Sequence, residues 1–259
     1  MKVVILAGGL GTRISEETAA RPKPMVEIGP EPILWHIMKI YYRYGYDDFI
    51  ICAGYKQAII KDYFSNYALN HSDIEIDLKK NSLKIISSPK EEWNVTVVDT
   101  GLNTMTGGRL KRIQRYVESD REFMFTYGDG LADIRIDRLV QHHRKFFPIV
   151  TLTAVQPPGR FGSLVLEDGT RVKKFSEKPP GDGQWINAGF YVASNEIFDF
   201  INGDGTVLEV EPLEKISAKG RMRAFLHHGY WKPMDTLTDK KKLEDAWFSG
   251  IAPWKVWVD

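Results

Sequence analysis

The N-terminal part of the sequence alternates between two hydrophobic patterns, and this alternation restricts the possible folds more than any other feature. Lys2–Ala7 is a short β-branched run that ends in glycines, and residues 47–55 form a second apolar run of similar length. Residues 32–45 and 56–67 instead carry apolar side chains at helical spacing. Strands that alternate with helices usually pair in parallel, so the pattern predicts an α/β fold.

Two later stretches have short β patterns. Residues 72–100 look like β segments broken by polar turns, which predicts a β-rich insertion at about residues 67–105 that makes subunit contacts. Further along, a hairpin pattern turns at Asp168–Gly169. No Ser-, Gly- or Pro-rich linker divides the chain. We therefore expect one domain over residues 1–259, with a Rossmann-like, mostly parallel mixed sheet flanked by helices and a smaller β-rich portion.

The composition excludes two classes of partner. A formal net charge of +1 gives no global field that would attract nucleic acid or an anionic membrane, so any anion site must be local. No apolar run approaches the length of a membrane span, and the N-terminal residues lack a signal-peptide pattern. The lone Cys52 cannot form an intramolecular disulfide, which fits a reducing compartment. We expect a cytoplasmic protein that binds neither nucleic acid nor membrane.

A glycine-rich loop follows the first predicted strand. Gly8, Gly9 and Gly11 would bring several backbone N–H groups into one concave place, which suits phosphate oxygens. The dinucleotide-binding fingerprint would need a third glycine where Ile14 stands, and the chain has no Gly-Lys-Ser/Thr sequence of a P-loop. Both common nucleotide motifs, and with them a Rossmann dehydrogenase, are therefore disfavoured.

Two cations accompany this loop. Thr12 and Arg13 end it, and Lys23 follows between two prolines that would stiffen the backbone presenting it. A triphosphate carries about four negative charges, and such a pair of cations would help to neutralise them. A tight strand-to-loop turn with exposed basic residues is the structural alternative.

Two carboxylates are candidates for a metal site. Asp129 comes directly after a predicted strand, at the sheet edge where α/β proteins bind ligands, and Asp235 lies in a Pro-containing turn before the last helix. Mg²⁺ prefers a few carboxylates together with phosphate oxygens and water, so the two could share one ion. Taken singly, either aspartate could equally be a turn or helix-cap residue.

These motifs together resemble a known family. "LAGGLGTR" followed by "KPM" resembles the signature of the sugar-1-phosphate nucleotidylyltransferases, and the later motifs "TYGDG" and "PMDT" follow in that family's order. The resemblance implies the nucleotide-diphospho-sugar transferase fold, with Arg13 and Lys23 on the phosphates and Asp129 and Asp235 holding Mg²⁺. It implies that the nucleotide is bound by Leu6, Ala7, Gly8, Gly9, Gly11, Thr12, Arg13, Lys23 and Asp129.

The resemblance also divides the chain by substrate. Residues 1–135 would mainly bind the nucleotide, and residues 136–259 would mainly bind the sugar phosphate. The residues implied for the sugar phosphate are Tyr127, Gly162, Glu177, Lys178, Asn187 and Trp231. Without the family context, Glu177 and Lys178 would be read as a solvated turn and Trp231 as part of the core. Tyr127 could equally be part of the core or a platform for the ribose.

The choice of nucleotide depends on two segments. "WNVTVVDTG" and "MTGGRLKR" resemble the branch of the family that uses CTP and α-D-glucose 1-phosphate, giving CDP-glucose for polysaccharide synthesis. Thr106, Gly107 and Gly108 are then candidates for contacts with the base. Arg109 either reaches a phosphate or is an exposed residue at a helix start. The branch implies a homo-oligomer, possibly a hexamer; uridylyl or thymidylyl transfer and a non-catalytic sugar-nucleotide-binding relative are the alternatives.

Overall fold

The computed structural model describes residues 1–159, 162–180 and 184–258. The strands are β1 (Val3–Leu6), β2 (Glu27–Ile28), β3 (Glu31–Pro32), β4 (Asp48–Ala53), β5 (Ile74–Asp77), β6 (Ser82–Ile85), β7 (Asn94–Asp99), β8 (Glu122–Tyr127), β9 (Gly130–Ala132), β10 (Val150–Val155), β11 (Ser163–Glu167), β12 (Arg171–Ser176), β13 (Ile186–Ser194), β14 (Met222–His227) and β15 (Trp231–Pro233).

The helices follow the amphipathic stretches. They are α1 (Ser15–Thr18), α2 (Ile33–Tyr42), α3 (Gln57–Ser65), α4 (Tyr67–Asn70), α5 (Thr106–Arg112), α6 (Gln114–Val117), α7 (Ile136–Phe146), α8 (Glu211–Ala218) and α9 (Leu237–Phe248), with 3₁₀ turns at Thr12–Ile14, Lys23–Met25 and Asn195–Phe200. Pro32 immediately precedes α2, and Gly45 adopts φ +80° shortly after it ends, as the sequence predicts.

Seven strands form the central sheet, in the order β14-β10-β13-β8-β1-β4-β7. All neighbouring pairs are parallel except those of β13, which runs antiparallel to both β10 and β8. The predicted mostly parallel mixed sheet is confirmed. Strand β1, inside this sheet, is apolar throughout because both faces of the sheet are covered.

The two faces of the sheet carry separate hydrophobic cores. Along β1, Val3 and Ile5 point into the core beneath α2, α7 and α9, whereas Val4 and Leu6 point into the core beneath α5, α6 and α8. The fold is therefore a three-layer α/β/α arrangement. No helix in the described part of the chain has both the length and the apolarity that a membrane crossing requires.

The expected insertion at residues 67–105 needs a correction at both ends. It begins with the short helix α4, and its last strand, β7, pairs in parallel with β4 as an edge of the central sheet. Within this stretch, the hairpin β5–β6 forms a separate two-stranded sheet. β7 was not recognised as part of the main sheet because its partner lies some forty residues earlier and the hairpin intervenes.

The second small sheet is the hairpin β11–β12, whose predicted turn is confirmed. Asp168 and Gly169 both have positive φ, 53° and 78°, in the short loop that joins the paired residues Glu167 and Arg171. A third pairing, β9 with β15, was not predicted. It brings residues just before Asp235 next to residues just after Asp129.

Candidate active site

A cavity of about 570 Å³ opens at the carboxyl ends of β1 and β8. This is the sheet edge at which α/β proteins bind ligands. Most of the predicted site residues line it: Leu6, Ala7, Gly8, Gly9, Gly11, Thr12, Arg13, Lys23, Thr106, Arg109, Tyr127, Asp129, Trp231 and Asp235. Gly107, Gly108, Gly162, Glu177, Lys178 and Asn187 do not.

The glycine loop forms one wall of this cavity. Gly9 is exposed and has open space around the position of a Cβ, so its backbone is accessible to a ligand. Gly11 has φ +65° and packs against the Thr18 side chain, whose hydroxyl donates to the Gly11 carbonyl at 3.1 Å. The positive φ explains why glycine is needed at the point where the loop turns into the first helical segment.

The four charged residues predicted from the sequence converge. Lys23 is nearly buried, and its ammonium lies 2.6 Å from Asp129 Oδ2 and 2.8 Å from Asp235 Oδ1. Arg13 donates to the other oxygen of Asp235 at 2.8 Å, with its side chain 71% exposed. Residues more than two hundred positions apart therefore form one alternating cluster of two cations and two carboxylates.

Local structure fixes each carboxylate. Asp129 follows β8, and its carbonyl accepts from the Met234 amide at 2.8 Å, which ties it to the turn that carries Asp235. Thr236 caps α9 in a reciprocal capping box with Asp239. Burial alone would raise the pKa of Asp239, but hydrogen bonds from Lys232 and Thr236 outweigh it and lower that pKa. Asp235 is thus held at a well-formed helix start.

The two carboxylates fit a shared cation. One ammonium already contacts an oxygen of each, so both can reach a single positive centre. Within the described residues, no cluster of three or more His, Cys, Asp or Glu side chains could hold a metal. The protein would therefore supply two oxygen donors and leave the others to phosphate and water, the donor set that suits Mg²⁺.

The environment of Arg109 contradicts one of its two predicted roles. It is only 4% exposed, so it is not an exposed residue at a helix start. Its terminal nitrogens donate to the Gly8, Gly101 and Leu102 carbonyls at 2.9, 2.7 and 3.1 Å and to the Thr100 hydroxyl at 2.8 Å. Burial lowers its pKa. Contact with a phosphate stays a prediction, since it would require some of these bonds to be exchanged.

Comparison with known proteins identifies the family. The sequence profile described as "Nucleotidyl transferase" matches residues 2–237. The chain belongs to that family. Enzymes of this family generally use a divalent metal, with a sugar phosphate and a nucleoside triphosphate as substrates.

The sequences of similar proteins align with this nucleotidyl transferase over almost its whole length. The glucose-1-phosphate cytidylyltransferase of Salmonella typhi is 54% identical over 257 residues, 99% of this chain and 100% of the relative. A probable glucose-1-phosphate cytidylyltransferase of Bacillus subtilis is 42% identical over 258 residues, again 99% and 100% of the two chains. The crystal structure of HddC from Yersinia pseudotuberculosis has a TM-score of 0.69 at 24% identity, covering 95% and 99%, and shows the same fold.

Two of the residues predicted to contact the base pack against the loop at residues 203–209 instead of facing the cavity. The amides of Gly107 and Gly108 both donate to the Thr206 carbonyl, at 2.9 and 3.3 Å. A Cβ on either glycine would collide with backbone atoms of Thr206 or Asp204. These glycines allow α5 and the loop at residues 203–209 to approach closely, and only Thr106 of the three faces the cavity.

The residues predicted for the sugar phosphate do not all face the cavity, since Gly162, Glu177, Lys178 and Asn187 do not line it. Glu177 and Lys178 lie beyond β12 with their side chains 62% and 63% exposed, and they pair with each other at 3.7 Å. Gly162 precedes β11, where a Cβ would meet the ring of Phe175. Trp231 lines the cavity and donates to the Ala188 carbonyl at 2.8 Å. The alternative of a solvated turn describes the environment of Glu177 and Lys178 in this structure.

Tyr127 and Asn187 belong to one hydrogen-bonded network around the buried Tyr191. The Tyr127 hydroxyl lies 3.1 Å from that of Tyr191 and donates to Glu209. Burial, together with Tyr191 and Glu209, raises the pKa of Tyr127 above its ordinary range, so this hydroxyl stays protonated. Glu209 also lines the cavity. Sequence reasoning missed it because nothing in the segment "TVLEVEP" indicates which distant residues Glu209 would contact.

Proposed function

We propose that this chain transfers the cytidylyl group of CTP to α-D-glucose 1-phosphate, giving CDP-glucose and pyrophosphate. The observation that carries the reaction class is the convergence of Lys23, Arg13, Asp129 and Asp235 beside the glycine loop. The choice of CTP and glucose 1-phosphate rests on the relatives that are 54% and 42% identical over 99% of the chain.

In the proposed reaction, an oxygen of the sugar phosphate attacks the α-phosphorus of CTP. A new P–O bond forms as the bond to the β-phosphate oxygen breaks, and the bond electrons leave with pyrophosphate. The attacking phosphate is already largely dianionic at neutral pH, so no general base is needed. Catalysis then consists of aligning two anions and stabilising charge on the transferring group.

The protein's own cations would share this work. Lys23 is held between two carboxylates, and we propose that nucleotide binding draws its ammonium onto the α-phosphate. Arg13, largely exposed at the mouth of the cavity, would bind the departing pyrophosphate. Its guanidinium can bind phosphate oxygens bidentately. Mg²⁺, when bound by Asp129 and Asp235, would supply further positive charge at the phosphates.

The sugar phosphate is proposed to bind at the other end of the cavity. Lys178 would anchor its phosphate and Glu177 would accept hydrogen bonds from its hydroxyls, with Gly162 allowing close approach. Asn187, Tyr127 and Trp231 would complete this end. Since Glu177 and Lys178 lie on an exposed segment after the hairpin β11–β12, we propose that this segment moves toward the cavity when the sugar phosphate binds.

We also propose a cytoplasmic homo-oligomer, with a hexamer as its proposed assembly. The hairpin β5–β6 supports association. Its cross-strand pairs Ile74–Ile85 and Ile76–Leu83 form an apolar face whose side chains are all at least 38% exposed. A two-stranded hairpin is at best marginally stable alone, so contact with a second subunit would stabilise it. A monomeric mass in sedimentation at micromolar concentration would refute the oligomer.

One assay tests the proposed function most directly. Pyrophosphate release is measured with glucose 1-phosphate, Mg²⁺ and, in turn, CTP, UTP, dTTP, GTP and ATP. We expect CTP to give the highest kcat/KM, and omission of Mg²⁺ or addition of EDTA to stop the reaction. Faster turnover with UTP or dTTP would refute the cytidylyl assignment while retaining the reaction class, and binding of nucleotide without turnover would favour a non-catalytic relative.

A further inference from the structure

A carboxylate with no role in the proposed reaction lies in the wall of the cavity. Glu209 precedes α8, and its two oxygens accept hydrogen bonds from different hydroxyls. Thr106 donates to Oε2 at 2.6 Å, and Tyr127 donates to Oε1. Among the residues that the structure describes, no ion pair involves Glu209. Its contacts therefore connect the start of α5 with the end of β8.

The network continues from Tyr127 toward the proposed sugar end. The Tyr191 hydroxyl lies 3.1 Å from that of Tyr127 and accepts a hydrogen bond from Asn187 Nδ2. The Asn187 Oδ1 accepts from the Gly189 amide at 2.9 Å, which fixes the orientation of the side-chain amide. An amide nitrogen only donates, so the Tyr191 hydrogen points to Tyr127 and the Tyr127 hydrogen points to the carboxylate.

The other arm is equally directed. The Thr106 hydroxyl accepts from the Leu208 amide at 2.9 Å, so its own hydrogen is free to point at Glu209. The hydrogen-bond donors of both arms therefore point toward one carboxylate that only accepts. No other group in this network could receive both arms at once.

We propose that Glu209 is a positioning residue that fixes the nucleotide end and the sugar-phosphate end of the cavity relative to each other, through Thr106 on one oxygen and Tyr127 on the other. This inference rests on the proposed function, in which Thr106 faces the base and Tyr127 and Asn187 face the sugar phosphate. In-line transfer depends on the mutual alignment of the two substrates, so loss of this link lowers turnover more than it weakens binding of CTP alone.

Glu209→Gln tests the link with almost no change of shape. The amide keeps one acceptor oxygen and replaces the other by a donor, so one of the two hydroxyls loses its acceptor. We expect kcat to fall about ten- to a hundred-fold, the loss typical of a hydrogen bond to a charged group. The Kd for CTP alone, measured by calorimetry, should change much less than kcat. The control is Glu214→Gln on α8, an exposed carboxylate that should give wild-type kinetics.

A double-mutant cycle separates positioning from simple support of the loop. Tyr127→Phe removes one hydroxyl, and the single acceptor of a glutamine at position 209 can then serve Thr106 without conflict. We therefore expect Glu209→Gln to cost clearly less in the Tyr127→Phe background than in the wild type. Effects on kcat that simply multiply, or a lowered Tm with unchanged kcat, would overturn the proposal.

Failure of this inference can be distinguished from failure of the proposed function. The wild type is first assayed with the panel of nucleotides, and the cycle is measured with the best one. A preference for UTP would refute the cytidylyl assignment and still allow the cycle to test the link. Normal use of CTP with unchanged kcat in Glu209→Gln would overturn the link alone. A wild type that turns over no nucleotide would overturn both.

Discussion

Lys23 lines the cavity, with its side chain 10% exposed and bonded to two carboxylates; Lys178 lies outside the cavity lining, with its side chain 63% exposed and paired with its own neighbour. Lys23 follows Pro22 in a 3₁₀ turn that packs against the central sheet, whereas Lys178 extends from a separate two-stranded hairpin. The fold thus preorganises the proposed nucleotide end. The proposed sugar end depends on an exposed segment, and we expect this segment to adjust when substrate binds.

The largest expected effect comes from removing a carboxylate at the preformed end. Asp129→Asn and Asp235→Asn each take away one donor for the metal and one partner of Lys23. We expect kcat to fall by about 10³-fold or more in each, measured as pyrophosphate release, because metal neutralisation of the phosphates is lost. Extra Mg²⁺ should restore little.

The matched control for these variants is Asp245→Asn, an exposed aspartate on α9. It should behave as the wild type. If both site variants kept wild-type turnover, the metal assignment would be wrong and the nucleotide end would not be the catalytic end.

A second test removes the support beneath the glycine loop. Arg109→Lys keeps the charge but cannot reproduce the forked set of bonds to Gly8, Thr100 and Gly101. We expect the free energy of unfolding to fall by about 2–3 kcal/mol, because buried acceptors lose their donor. Chemical denaturation measures the change, with Arg115→Lys on α6 as the exposed control. Equal stability of the two variants would contradict a structural role for Arg109.

The third test addresses the exposed end. Lys178→Ala should raise the KM for glucose 1-phosphate about tenfold through loss of one charge-assisted contact, with little change in the KM for CTP. Lys174→Ala, on β12 of the same hairpin, is the control and should change neither constant. A raised KM for CTP with an unchanged KM for the sugar phosphate would show that Lys178 acts on the nucleotide and that its assignment to the sugar phosphate is wrong.

The smallest expected effect concerns the helix start beside Asp235. Thr236→Ala removes the side-chain cap of α9 and should lower the free energy of unfolding by about 1 kcal/mol. Thr238→Ala, exposed in the first turn of the same helix, should leave stability nearly unchanged. Thermal and urea denaturation of both variants would measure this difference in stability. If they were equally stable, the capping box would contribute nothing to the placement of Asp235.

The charged residues that converge beside the glycine loop could be picked out from the sequence because they stand at the ends of recognisable elements. Lys23 and Asp129 follow from a proline-flanked turn and from a strand that meets a glycine turn, and the family resemblance added Asp235. The central sheet was predictable for the same reason, since continuous apolar runs mark buried parallel strands.

Other parts of the site depend on contacts that no local pattern shows. Glu209 receives two hydroxyls from residues about a hundred and about eighty positions away, so its role appears only when the loop packs on α5. Arg109 could not be recognised as buried, because its acceptors come from two loops that are distant in sequence, the glycine loop and residues 100–102. The edge strand β14 was missed for a related reason: its residues are partly exposed and lack a continuous apolar run.

The alternate orientation of side chains along β1 has a consequence for how this chain can vary. Leu6 stands in register with Tyr127 on one side and with Cys52 on the other. Deleting a single residue before Gly8 would exchange the side chains entering the two cores and also shift the glycine loop along the neighbouring strands. The length of β1 therefore fixes both which side chains enter each core and where the glycine loop lies. Length changes should be tolerated in the hairpins, and rejected between Val3 and Gly8.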